Sequence, residues 1–215
     1  MMITYLGHSS FRIKTANATI ITDPYDKAIG FRFPYGPADI CTISHNHFDH
    51  NNKNGIKNSD CFFIEGPGEY EIKDVMIKGI SSFHDLQNGQ ERGENTIYLI
   101  QADDINLCHL GDLGTLLDEK QLKEIHDIDV LMIPVGGIAT IGPDDAKKII
   151  KKIDPTIVLP MHYKTEGISE TFTKFFTVSD FFKEMELEEK WDEKLNLNAS
   201  SLPEELEIIA LQRKS

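Results

Sequence analysis

Short apolar runs broken by Gly, Pro, Asn and Asp fill the first hundred residues: ITYL (3–6), SFRIK (10–14), ATIIT (18–22), ADICTI (38–43), CFFI (61–64), VMIKGI (75–80) and TIYLIQA (96–102). Their shortness and their β-branched and aromatic content predict strands, so this half is expected to be mostly sheet. After INLCHL (105–110) the period changes. Thr115 and Asp118 are spaced as a helix N-terminal box leading into LLDEKQLKEI, and Pro143 with Asp144 and Asp145 opens a second helix. Ala146, Ile149, Ile150 and Ile153 give that helix one apolar stripe.

Two more apolar runs, DVLMIPV (129–135) and PTIVLP (155–160), alternate with these helices as β-α-β units, ending in Gly136-Gly137 and Met161-His162. Polar residues at strand ends are where sites collect in α/β proteins. Residues 168–190 are helical in pattern, and LEIIAL (206–211) is expected to close the chain as a last strand. Without a solenoid repeat or a linker, residues 1–215 are read as a single layered α/β domain. Phe172, Phe175, Phe176, Phe181 and Phe182 read as core, with a homo-oligomer interface or a substrate entrance left open for them.

Composition narrows the function. The net charge of −13 disfavours nucleic acid as a partner, because an acidic body repels phosphate backbones unless bound cations reverse the field locally. Cys41, Cys61 and Cys108 are odd in number, lack C-x-x-C spacing and sit in apolar runs, so they read as reduced, buried core thiols of a cytoplasmic protein. The N-terminal MMITYLGHSSFRIK carries no signal-peptide pattern, and no apolar stretch reaches the ~18 residues of a membrane span. Gly136-Gly137 lacks the pattern of a phosphate-cradling loop, and Gly66-Pro67-Gly68 reads as a turn. Adjacent Cys108 and His109 would face opposite sides of a strand, which argues against a thiol nucleophile with its base.

The chemistry concentrates in His45-Asn46-His47-Phe48-Asp49-His50, directly after the run ADICTI. In an extended stretch His45, His47 and Asp49 share a face, so two imidazoles can reach one ion while Asp49 and His50 point to a second. Neutral imidazole and carboxylate suit Zn²⁺-class cations, and two adjacent sites of this kind generate and clamp a bridging hydroxide. Mn²⁺ or Fe²⁺ fit the same donors.

The motif is similar to the signature of the metallo-β-lactamase superfamily. LGHSSF (6–11), ITDPY (21–25), SHNHFDH (44–50), FHD (83–85), CHLGDLG (108–114), IPVGG (133–137) and LPMHYKT (159–165) follow in family order and resemble its small metal-dependent hydrolase branch, which includes ascorbate-phosphate lactonase and N-acylethanolamine-releasing phospholipase relatives. Residues 168–215 lie outside these motifs. The resemblance implies a four-layer αββα sandwich and two divalent metal ions, one held by His45, His47 and His84, the other by Asp49, His50 and His162, with Asp112 bridging them. His109 is the rival of His84, because alternation along INLCHLGD does not fix which residue faces the metals.

Asp49 is expected to orient the hydroxide as well as bind metal, and His8 to contact substrate or act as general acid. Asp23 is read equally as a hydrogen-bonding support of the ligand loop and as a turn-forming Asp-Pro. The function expected is hydrolysis of a small-molecule ester, lactone, amide or phosphodiester. A nuclease or RNA-processing phosphodiesterase, fed by a basic strip at Lys147, Lys148, Lys151 and Lys152, and a non-catalytic metal-binding module are the competing readings.

Overall fold

The computed structural model of the chain describes residues 1–214. Strands β1 (Met2–Gly7), β2 (Ser10–Lys14), β3 (Thr19–Thr22), β4 (Ile40–Ile43) and β5 (Phe62–Glu65) form the first sheet, with the two-residue β13 (Leu195–Asn196) on its β1 edge. The second sheet runs from β6 (Gly68–Ile72) through β7 (Val75–Phe83), β8 (Glu94–Ala102), β9 (Ile105–His109), β10 (Val130–Pro134) and β11 (Ile157–Met161) to β14 (Glu207–Ile208). Antiparallel hairpins build the β6–β9 half, whereas β9, β10, β11 and β14 lie parallel. The Tyr98 hydroxyl donates to Ile43 O across the sandwich, at 2.8 Å.

Ile3, Tyr5, Phe11, Ile13 and Ile20 face inward and share one core with Ile77, Ile97, Tyr98 and Leu107 of the opposite sheet. The outward residues of the same first strands, Leu6 and Ile21, join Tyr25, Ile29, Phe33, Phe172 and Phe175 in a second cluster. This alternation is the period-two signature of strands. The first sheet is therefore covered outside by aromatic loops and 3₁₀ turns, while helices α1 (Glu119–Glu124), α2 (Pro143–Ile153) and α3 (Val178–Met185) come from the second half. The αββα sandwich expected from the sequence is present, with a thin layer over the first sheet. Among the described residues no helix is long and apolar enough to cross a membrane.

Four local expectations change. The box at Thr115 and Asp118 is displaced by three residues: Asp118 is itself the N-cap, reciprocally bonded with Gln121, and α1 begins at Glu119. Within 168–190 only Val178–Met185 is α-helical, because Phe172 and Phe175 pack on the outer aromatic cluster instead of continuing a helix stripe and Glu186 caps the helix in left-handed backbone. Thr177 with Asp180 closes the capping box that starts α3, whose Phe181 and Phe182 are fully buried. LEIIAL splits between β14 and β15 (Ala210–Leu211), which pairs with β12 (Trp191–Asp192). Cys41 and Cys108 are buried as expected, but Cys61 precedes β5 and is only half-buried.

Candidate metal centre

The chemistry-bearing residues follow strands. His8 lies in the β1–β2 turn, His45–His50 follow β4, His84 follows β7, Asp112 follows β9 and His162 follows β11. His8, Asp23 and His162 adopt left-handed backbone (φ 57°, 37° and 53°), which side-chain-bearing residues rarely do and which recurs at functional sites. His162 N donates to His8 O at 2.7 Å, tying two of these loops together. Gly136 lets the second loop pass the His162 carbonyl so closely that a β-carbon there would overlap it, and Gly114 does the same against the His84 backbone.

The segment after His45 is not extended. His50 N and Asn51 N both donate to His47 O at 3.0 Å, so residues 47–51 turn back on themselves. The shared strand face expected for His45, His47 and Asp49 is therefore replaced by a turn that swings Asp49 away from the two imidazoles. Asp49 Oδ2 lies 3.1 Å from His8 Nε2 and 3.7 Å from His50 Nε2.

Three groups of donor atoms converge, each within 4.8 Å: His45, His47 and His84; His8, Asp49, His50 and His162; and His45, His50 and Asp112. Asp112 Oδ2 links them, at 3.1 Å from both His50 Nε2 and His162 Nε2, 3.3 Å from His84 Nε2 and 3.9 Å from His45 Nε2. All seven residues expected to bind metal thus come together, and His8 joins them. His109 does not: its Nε2–H donates to Ser9 O at 2.8 Å, away from the cluster.

Buried hydrogen bonds fix this arrangement. Asp23 accepts from Ser44 N at 2.7 Å, from Ser44 Oγ at 2.6 Å and from His50 Nδ1 at 2.9 Å, so of its two readings the supporting one is realised. Because the Ser44 hydroxyl donates to Asp23, it accepts from His45 Nδ1 at 2.9 Å, and His45 Nε2 is left buried without a partner. Neither His50 Nε2 nor either ring nitrogen of His162 makes a hydrogen bond. Orphaned buried nitrogens are costly in apolar surroundings, and a bound cation satisfies them.

Sequence reasoning missed Asn95 and the role of Asp85. Asn95 Oδ1 accepts from Asp112 N at 2.9 Å while its amide donates to Leu110 O and Ser82 Oγ, holding the loop that carries Asp112. Asp85 accepts four backbone N–H groups, from Gln87, Gly89, Glu91 and Arg92, and shapes the loop beside His84. A polar residue next to a ligand candidate was the only signal for Asp85. Asn95 offered none.

Electrostatics agree with a cation. Burial pushes the Asp112 carboxyl pKa up, but His162 and His50 outweigh it and hold the group well below the ordinary range; Asp49 is likewise depressed against its burial by His50 and His8. Burial pushes His50 down, and Asp112 and Asp49 reverse this and raise it, so in the metal-free protein a proton on His50 offsets part of the carboxylate charge. His45, His8 and His84 are lowered by burial and remain neutral, the form that ligates metal. Buried carboxylates outnumber buried cations here, a deficit that divalent ions would fill.

Burial and the neighbouring His162 lower the His8 pKa to about 4, so in the metal-free protein its imidazole is neutral near pH 7, and the buried ring lies against Asp49, with Nε2 3.1 Å from Asp49 Oδ2. A cavity of about 440 Å³ opens beside His45 and His47, lined also by Glu65, Pro67, Arg92 and Thr96. A larger groove of about 710 Å³ over β6–β9 shares no residue with the cluster. The smaller cavity is the one that meets candidate ligands.

The beta-lactamase superfamily domain matches residues 2–162, which carry every residue of the cluster. A UPF0173 metal-dependent hydrolase of Methanopyrus kandleri is 25% identical over 198 residues, covering 77% of this chain and 85% of its own. A UPF0173 protein of Pyrococcus abyssi is 31% identical over 186 residues, covering 78% and 85%. A crystal structure from Thermotoga maritima, assigned as a Zn-dependent hydrolase of the metallo-beta-lactamase superfamily, superposes with a TM-score of 0.80 at 34% identity over 98% of this chain and 97% of its own. With the family matched across three quarters of its length and the same architecture in that relative, the chain belongs to the metallo-β-lactamase superfamily and is a metal-dependent hydrolase of it.

Proposed function

We propose that the chain is a dinuclear hydrolase of small molecules, acting on an ester, lactone, amide or phosphodiester. The observation that carries this reading is Asp112 Oδ2, set among the Nε2 atoms of His45, His50, His84 and His162 at 3.1 to 3.9 Å, the position of a bridging ligand between two sites. His45, His47 and His84 would hold one ion, Asp49, His50 and His162 the other, and Zn²⁺ suits these donors best. The ions would lower the pKa of water from 15.7 toward ~7 and offset charge developing on the substrate oxygen.

The remaining work falls to the protein. Asp49, kept ionised by His50 and His8, is the acceptor that orients the attacking water. His8, neutral, donates Nε2–H to Asp49 Oδ2 across 3.1 Å and fixes which way that carboxylate faces. Asp23 holds the Nδ1–H tautomer of His50, leaving Nε2 for metal. His47 is half-buried, the least enclosed of the ligand candidates, with the 440 Å³ cavity on one side of it.

A small substrate is favoured over nucleic acid because two of the four lysines of the basic strip are already paired, Lys147 with Glu184 and Glu186 and Lys148 with Asp144 and Asp145, which leaves only Lys151 and Lys152 to offset an acidic chain. The test is hydrolysis of nitrophenyl esters, a lactone and bis(p-nitrophenyl) phosphate by protein stripped with chelator and reloaded with Zn²⁺, Mn²⁺ or Fe²⁺. Turnover of at least one class should fall by about 100-fold or more on stripping and return on reloading. Stoichiometric metal with no turnover in any class would instead indicate a metal-binding module.

A further inference from the structure

Several loops that carry this centre expose a large apolar side chain. Phe48, between His47 and Asp49, is 54% exposed; Leu86, two residues after His84, is 78% exposed; Leu116, four after Asp112, is 44% exposed. Ile138, past the end of β10, is 62% exposed, and Phe176, beyond His162, is 45% exposed. Scattered exposed hydrophobics need no explanation, but apolar groups gathered around a ligating cluster do.

Contacts tie the loops that bear this apolar wall to one another and to the metal candidates. The Phe172 ring lies 5.4 Å from the His8 ring and 6.5 Å from Phe48, and Phe175 lies 5.0 Å from His162 and 5.3 Å from Phe172. Phe176 N donates to Gly136 O, and the Phe176 ring lies over Gly137, next to Ile138. The loop bearing Ile138 is pinned in turn to the Asp112 loop by Ile141 N donating to Leu113 O at 2.9 Å. Gly114 against the His84 backbone brings the loops of Leu116 and Leu86 together.

Ile138 is the most telling member. Its φ of 62° puts a β-branched residue in left-handed backbone, which crowds its β-carbon against the next carbonyl. Exposing that side chain to water adds a second unfavourable feature. The turn is held by Ala139 N donating to Gly137 O at 2.7 Å, and backbone strain retained beside a site points to function.

We infer that this wall, with Ile138 and Phe176 at its outer end, binds the uncharged apolar acyl or aryl part of the substrate, so that the enzyme prefers esters or lactones with medium-length hydrocarbon chains over acetyl or charged ones. The inference rests on the hydrolase reading above and names the substrate class of that site.

The test uses metal-loaded protein. Binding of acetate, butanoate, hexanoate and octanoate, the acid products of such esters, is measured by calorimetry, and kcat/KM is measured for the matching nitrophenyl esters. Full burial of a methylene is worth up to about fourfold in affinity, and a half-exposed wall should give about twofold per methylene. Ile138→Asn, which tolerates left-handed backbone and so keeps the fold, and Phe176→Ser should flatten that slope at unchanged metal content. Ester turnover with no dependence on chain length, an unchanged slope in both variants, or no binding of any carboxylate would overturn the inference, the first of these leaving the hydrolase reading intact. A chain-length slope that the variants abolish, without ester turnover, would uphold the wall and count against ester hydrolysis. A dimer that Phe176→Ser dissociates would assign the wall to a second copy and overturn the inference.

Discussion

His50 Nδ1 lies 2.9 Å from Asp23 Oδ2, and this bond turns His50 Nε2 toward Asp112, 3.1 Å away. Asp23 touches none of the other ring nitrogens of the cluster, yet it sets the tautomer of one imidazole and, through Ser44, of a second. Partners of this kind are worth about 10- to 100-fold in metal affinity. Asp23→Asn, nearly isosteric, should weaken binding by that amount in competition with a chromophoric chelator. Unchanged affinity would mean the tautomers are set elsewhere.

His84 and His109 are separated by one experiment. His84 Nε2 approaches Asp112 Oδ2 at 3.3 Å, whereas His109 Nε2–H is committed to Ser9 O at 2.8 Å. His84→Ala should lower bound metal and activity together. His109→Gln should retain metal and lose stability, by about 1–3 kcal/mol for a buried hydrogen bond left imperfect. Metal lost in the second variant but kept in the first would reverse the assignment.

The glycines that admit the ligand loops make a steric prediction. At Gly136 a β-carbon would overlap the carbonyl oxygen of His162, which is backbone and cannot swing aside. Gly136→Ala should destabilise the fold by roughly 1–3 kcal/mol, read as a lower urea midpoint, and should weaken metal binding through displacement of His162.

A pH effect follows from His8. In the metal-free protein its pKa is about 4 against an ordinary 6.5, so between these values the unfolded chain binds a proton that the folded chain refuses. The stability linked to His8 is complete above about pH 6.5 and is lost as pH falls toward about 4, by up to roughly 3 kcal/mol. His8→Asn, which also accepts left-handed backbone, should flatten the decline in urea midpoint over that range, measured with chelator present. An equal decline in both proteins would place the acid sensitivity in other groups.

Much of this architecture is legible in the sequence because strands announce themselves by period. Ile20 and Ile21 face opposite cores, as alternation requires. β6 escaped notice because GEYEI is a short edge strand behind a Gly-Pro-Gly turn whose apolar face is only Tyr70 and Ile72, alternating with Glu69 and Glu71. Helix α3 was overextended because Phe172 and Phe175 mimic a helix stripe while packing on an aromatic cluster. At the site, residue types and order identified the participants, but the turn at 47–51 and the partnership of Asn95 with Asp112, 17 residues apart, are made by tertiary hydrogen bonds that no local pattern encodes.

Elemental analysis of freshly purified and reconstituted protein, beside His47→Ala and Asp112→Ala variants, tests the central claim most directly. Close to two divalent ions per wild-type chain are expected, with fewer retained once either residue is removed and the greater loss in Asp112→Ala, because that carboxylate would serve both ions of the proposed centre. A wild-type protein that takes up no metal even on reconstitution, or variants that retain the full complement, would contradict the dinuclear centre.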